Sequence, residues 1–230
     1  MSEGVIDTKE MRMRITQLEY EGLSEEEYKK EIKRIYLEES GERFPAEIEV
    51  YSTSNPNHFK EDDSGYEGTA VHIYSDEEDI SEMYVISEGS QTEEDWVYNG
   101  EGIFAGQDIS QAKGTNNFVN EAKKHFEVSD STTVTGLSHS LAHNNNATAH
   151  LMYGIFDDVY SVNGAQTNYY QLYNNDKGFR IDVNNKFSIT SKSEIYDVDP
   201  EKLKSFAEEY YAEEEKIFIR SYIRMIPFMA

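Results

Sequence analysis

The chain has 230 residues, 37% of them hydrophobic and 13% aromatic, which suits one domain with a substantial core and argues against a disordered chain. Its 45 acidic residues against 21 basic ones give a formal charge of −24, a field that repels phosphate backbones and argues against nucleic acid as a partner while leaving a basic protein partner open. There are no cysteines, which excludes disulfides, thiol catalysis and thiolate metal sites.

The N-terminal stretch MSEGVIDTKEMRMR lacks the apolar core of a secretory leader, and no apolar run approaches the ~18 residues of a membrane span. A cytoplasmic protein with no transmembrane segment is the default expectation, with leaderless secretion left open. Residues 8–40 read as one or two helices. Ser24 followed by Glu25, Glu26 and Glu27 has the form of a capping box, and Tyr28, Ile32, Ile35 and Tyr36 then recur at helical spacing until Gly41. Residues 46–51 alternate as a short strand, and 52–68 read as a loop. The runs TAVHIYS (69–75) and MYVIS (83–87), separated by an acidic turn, predict a hairpin or adjacent strands.

A helix is predicted over 115–126, with Phe118, Val119, Ala122 and Phe126 on one face. A strand at 132–137, a helix from about 141 to 153 stopped by Gly154, and a strand at 158–163 follow. This is the strand–helix–strand pattern of a parallel sheet covered by helices. Residues 179–190 read as two short strands around Asn184 and Asn185. Asp199 and Pro200 predict the start of a long helix over 201–224. No repeat or linker divides the chain. One domain over 1–230 is expected: N-terminal helices (1–45), a sheet core (46–170), and a C-terminal hairpin with a long helix (171–230).

The stretch VTGLSHSLAH (134–143) carries the candidate chemistry. A nucleophilic serine is best presented on a tight strand-to-helix turn, with small neighbours two residues either side and helix amides aimed at the developing oxyanion. Ser138 lies between Gly136 and Ser140; Ser140 lies between Ser138 and Ala142. Neither has both glycines of the G-x-S-x-G pattern.

These residues resemble the class 3 (fungal-type) lipases of the α/β-hydrolase fold, whose elbow reads VTGHSLGG. The chain offers VTG at 134–136 and HSL at 139–141, which favours Ser140 and keeps Ser138 as the alternative. Two further blocks fit in order. MYVISEGSQTEEDWVYN (83–99) is similar to the family's strand ending in FRGT followed by a DW pair, here Asp95 and Trp96; VYSVNGAQ (159–166) is similar to YTFGAP, matching at Gly164 and Ala165. The resemblance covers about 69–170. It implies an α/β-hydrolase-like, mostly parallel sheet flanked by helices, incomplete at its C-terminal side. It also implies Ser140 as nucleophile, with Ser90, which follows Gly89, and Leu141 around the oxyanion hole. The implied reaction is hydrolysis of a carboxylic or lipid ester without a cofactor or metal.

The departures are specific. Glu88 replaces the arginine of the family's RGT, Gln166 the proline of GAP, and Ala142-His143 the double glycine. The family's triad runs Ser, Asp, His along the chain, yet the six histidines are His58, His72, His125, His139, His143 and His150, none beyond position 150. Asp176, Asp182, Asp197 and Asp199 follow the serine and leave the acid open. A lipase-like domain without a complete triad, serving as a binding module or as part of a larger secreted effector, is therefore the alternative expectation. His139 and His143 have the i, i+4 spacing of zinc helices, but the glutamate of that motif is missing, so no metal site is expected. The acidic clusters 61–63 and 76–79 lack calcium-loop spacing. Three consecutive asparagines at 144–146 predict either buried amide hydrogen bonds or a polar wall.

Overall fold

The computed structural model describes residues 4–55, 64–88 and 109–221. Helix formation begins where the chain supplies caps. Thr8 caps α1 (Lys9–Gln17), and a 3-10 turn continues it over Leu18–Glu21. Ser24 and Glu27 exchange both bonds of the predicted capping box at the start of α2 (Glu25–Ser40), which ends at Gly41 with φ +75°. Strands β1 (Glu47–Ser52), β2 (Gly68–Ser75) and β3 (Ile80–Ser87) then form an antiparallel meander.

Helix α3 (Ser110–His125) crosses over to β4 (Thr133–His139), and α4 (Ala142–Tyr153) leads to β5 (Asp158–Val162). Three further helices follow: α5 (Tyr169–Asn175), α6 (Lys177–Phe187) and α7 (Pro200–Tyr210). Strand β6 (Phe218–Ser221) closes the sheet. The six strands lie in the order β1-β2-β3-β4-β5-β6. Pairings β3–β4, β4–β5 and β5–β6 are parallel; the two earlier ones are antiparallel. The architecture is therefore a mixed α/β sheet flanked by helices.

Alternating residues divide the core between the two faces. Val71, Ile73, Ile86 and Leu137 face α1 and α2, where Met11, Ile15, Tyr28, Ile32 and Ile35 are buried. Ala70, Met83, Val85, Val134 and Val159 face α3, through Phe118, Val119 and Ala122. A third cluster, built on Leu172, Tyr173, Phe179, Val183, Leu203 and Tyr211, knits the C-terminal helices to Leu151 of α4. Among the described residues, no helix is long and apolar enough to cross a membrane.

Two elements differ from the sequence expectation. The segment read as two strands is the helix α6: Asp176 caps it by accepting the Phe179 amide, and Phe179 and Val183, four apart, are both buried. Apolar residues at 179, 181 and 183 fit either period, and only the tertiary environment selects the helical one, leaving Ile181 48% exposed. Asn184 is not a turn residue; its side-chain oxygen accepts the Tyr173 hydroxyl at 2.8 Å. The predicted long helix 201–224 stops at Tyr210. A 3-10 turn over Glu214–Ile217 then feeds the aromatic and β-branched FIRS run into β6, because the edge of β5 offers it backbone partners.

Leu137, on central strand β4, is fully buried. Replacing it by alanine removes packing from a strand covered on both sides, and Leu137→Ala should cost about 2–5 kcal/mol in urea unfolding.

Candidate functional site

Strand β4 ends at His139 and α4 begins at Ala142, so the chain reverses through Ser140 and Leu141. Ser140 is exposed and has φ +55°. The other described non-glycine residues with positive φ are Asp79, Glu127, Asn163 and Ser188. Asp79 turns the β2–β3 hairpin, while Glu127 and Ser188 follow helix ends, where left-handed residues are common stops. Ser140 instead precedes a helix. Its amide donates to the Val162 carbonyl at 3.2 Å, and its carbonyl accepts from Ala165 at 2.8 Å and His143 at 3.3 Å. The end of β5 thus grips the turn from both sides.

Glycine is required at 164: a Cβ there would stand 2.0 Å from Ser161 Oγ and 2.7 Å from the His143 ring. The Gly164-Ala165 pair singled out in the sequence therefore touches the turn itself. Leu141 caps α4 without a side-chain bond, and its amide donates to none of the described residues. Such first-turn amides lack intrahelical partners and suit an electron-rich oxygen. The Ser140 hydroxyl makes no hydrogen bond among the described residues.

Ser138 has a different environment. It is 1% exposed and donates to the Tyr160 carbonyl at 3.3 Å. It sits between Ser87 of β3 and Ser161 of β5 in an in-register row of buried serines. Gly89, Ser90, Asp95, Trp96, His58 and the acidic cluster 61–63 lie outside the described residues. The acidic cluster 76–79 is the exposed hairpin turn.

Among the described residues, no histidine ring is hydrogen-bonded to Ser140. The His139 ring packs edge-on against Tyr20 on the α1–α2 side, with centroids 6.1 Å apart, while His143 meets Phe218, 6.0 Å away. The His150 Nδ1 accepts the Phe156 amide, and burial lowers its pKa below the ordinary histidine value. Among the aspartates downstream, Asp176 and Asp199 serve as helix caps, Asp176 also accepting the Tyr211 hydroxyl. Asp182 lies on the exposed side of α6, and Asp197 ends a 3-10 turn. Among the described residues, no group of three histidine or acidic side chains could hold a metal.

The three asparagines resolve into buried contacts. Asn144 donates to the Gln166 carbonyl, Asn145 to the Gln111 side chain, and Asn146 accepts from Ser87. Sequence reading missed Glu19, in the turn after α1. Its carboxyl takes the Tyr28 hydroxyl at 3.0 Å and the Thr69 hydroxyl at 3.1 Å. Burial pushes its pKa up to about 8; the two hydrogen bonds oppose the shift, and nearby Glu88 and Glu67 add to it. A glutamate among polar helix-end residues gives no sign of this, because its partners lie in α2 and β2.

Residues 10–224 match the family described as "Domain of unknown function (DUF6792)", and the chain belongs to that family. The Bacillus subtilis (strain 168) protein YvcB is 35% identical over 231 residues, covering 91% of this chain and 36% of its own length. The chain thus spans about a third of the length of that curated relative. No solved structure matches.

Two outcomes follow from this geometry. Relief of the left-handed backbone predicts that Ser140→Gly raises unfolding stability by about 1 kcal/mol over Ser140→Ala, measured by denaturant titration. For Glu19, the folded state retains a proton that the unfolded chain releases near its ordinary value of 4.5. Stability from this group is thus complete below about 4.5 and declines as pH rises to about 8. Glu19→Gln should therefore gain Tm relative to the unsubstituted protein across that window and level off above it.

Proposed function

We propose that this member of the DUF6792 family carries a lipase-like serine-hydrolase site on an α/β-hydrolase-like sheet, with Ser140 as nucleophile and a carboxylic or lipid ester as substrate. The observation that carries the reading is the exposed Ser140 at φ +55° between a parallel strand and a helix. Non-glycine residues held in sparsely populated backbone regions cluster at active sites. A nucleophile elbow needs that conformation because it lifts the hydroxyl clear of the sheet and places the next amide beside the reacting carbon. The sequence blocks 134–141 and 159–166 support the same reading, since the second clamps the first.

In this mechanism the Ser140 hydroxyl attacks the acyl carbonyl. The Leu141 amide donates to the resulting oxyanion, and Ser90 is the second donor that the resemblance supplies. A general base must take the serine proton and pass it to the departing alcohol as the ester C–O bond breaks, after which water cleaves the acyl-serine and releases the acid. No imidazole is hydrogen-bonded to Ser140 among the described residues. That observation favours a second reading, in which the same turn binds an ester or carbonyl group without cleaving it.

A fluorophosphonate probe followed by peptide mapping separates the two. Labelling at Ser140 that persists in Ser138→Ala and disappears in Ser140→Ala is the expected result. Labelling confined to Ser138, or none in a folded protein, would overturn the hydrolase reading and leave the binding one.

A further inference from the structure

Under the turn, Ser87, Ser138 and Ser161 stand side by side on β3, β4 and β5, each 1% exposed. Ser87 connects the sheet to the elbow helix. Its hydroxyl donates to Asn146 Oδ1 at 2.7 Å, a buried bond between residues 59 apart in sequence. A serine hydroxyl has one proton, and here Asn146 takes it. The Tyr66 hydroxyl, 2.9 Å from Ser87 Oγ, must then be the donor in its own bond. The chain of bonds runs from Tyr66 through Ser87 to Asn146.

The packing around this chain leaves little freedom. Asn146 is fully buried and lies against Gly136 of β4, where a Cβ would meet its Nδ2 at 3.2 Å. Tyr66 fits beneath α3 because residue 114 is glycine; a Cβ there would stand 2.6 Å from Tyr66 Cβ. Burial raises the Tyr66 phenol well above its ordinary value, which keeps it a hydrogen-bond donor across working pH.

The elbow helix needs such a link. Ten consecutive residues of α4, Ala142 to Leu151, are buried, and half or more are polar. No apolar stripe sets its rotation against the sheet, so directional bonds must do so. Asn144 and Asn145 bond to the loop after β5 and to α3, whereas Asn146 bonds to a strand. Asn146 also lies less than two turns from Ser140.

We infer that Asn146 is a positioning residue: held by Ser87, its side chain fixes the rotation of α4 on the sheet, and with it the placement of Ser140 and the Leu141 amide. Its catalytic consequence rests on the nucleophile reading above; its geometric role does not.

Hydrogen exchange on the intact chain tests the link directly, with α2 amides as the internal reference. Ser87→Ala removes the hydroxyl that holds Asn146 and should speed exchange of the hydrogen-bonded His143 and Asn144 amides relative to α2 by about tenfold, the scale of one buried hydrogen bond. Asn146→Leu should do the same while preserving side-chain volume. Tyr66→Phe deletes the outer hydroxyl only; it should lower Tm while leaving the relative exchange of the His143 and Asn144 amides unchanged. Fluorophosphonate labelling of Ser140 should slow in the first two variants and not in the third. Unchanged relative exchange in Ser87→Ala and Asn146→Leu, or an equal rise in Tyr66→Phe, would overturn the inference. If the unsubstituted protein takes no label, the nucleophile reading fails, and the exchange data alone still decide the positioning role.

Discussion

A residue with a side chain stays at φ +55° only when its neighbours remove the alternatives, and at Ser140 they do so through the backbone. Three hydrogen bonds converge on the two peptide groups of one residue: to Val162, from Ala165 and from His143. Two of these partners belong to the end of β5 and the loop after it, so the turn depends on the parallel register in which His139 faces Val162. The left-handed conformation costs on the order of 1–3 kcal/mol. The central strand offsets it with the burial of Val134 and Leu137 on opposite faces. Gly164 completes the arrangement, since any side chain there would collide with Ser161 and His143. The turn, the β5 loop and the start of α4 form a single mechanical unit.

The edge of the sheet that carries this unit is unusually polar. Ser52 pairs with Thr69, Gly68 with Ser87, Ser87 with Ser138, and Ser138 with Ser161. The same edge holds Glu19 through Thr69, and Tyr20 beside it packs on His139. Several of these buried groups bond to one another, as Ser87 does to Tyr66 and Asn146, while Ser161 Oγ and Asn146 Nδ2 have no hydrogen-bond partner among the described residues. Glu19 follows a different course. Burial above all, with a smaller push from Glu88 and Glu67, raises its pKa to about 8. In a chain with a formal charge of −24, retaining a proton removes repulsion from Glu88 and Glu67.

Local signals in the sequence were legible wherever local chemistry decides. The capping box at Ser24, the β2–β3 hairpin and the β4–α4–β5 unit all follow from caps, turns and period. The C-terminal third was not, because its periods are ambiguous: Phe179 and Val183 fit a strand or a helix, and the FIRS run continues a helical pattern until β5 provides an edge to pair with. Ser138 and Ser140 could not be separated by neighbours alone, since both are flanked by small residues. The distinction lies in where β4 ends, which places one hydroxyl inside the sheet and the other outside it. The Tyr66–Ser87–Asn146 chain leaves one trace in the sequence: three strand-like runs each carry a serine at or near their ends. Which of the three meets an asparagine 59 residues away is a property of the fold.

Charge also bears on what the turn can accept. A helix N-terminus whose Leu141 amide is unengaged among the described residues attracts an electron-rich oxygen at short range. The whole-molecule field opposes anions at long range, and it acts on reactant and product differently. A neutral ester approaches without electrostatic penalty and meets the amide only at contact. A carboxylate released at the same place carries a full negative charge against the field of 45 acidic residues and is driven out. The same reasoning applies without any bond cleavage: a carbonyl or ester group can dock where a free carboxylate is disfavoured. Under the proposed function, both readings of Ser140 favour a neutral acyl group. They differ only in whether a base removes the serine proton.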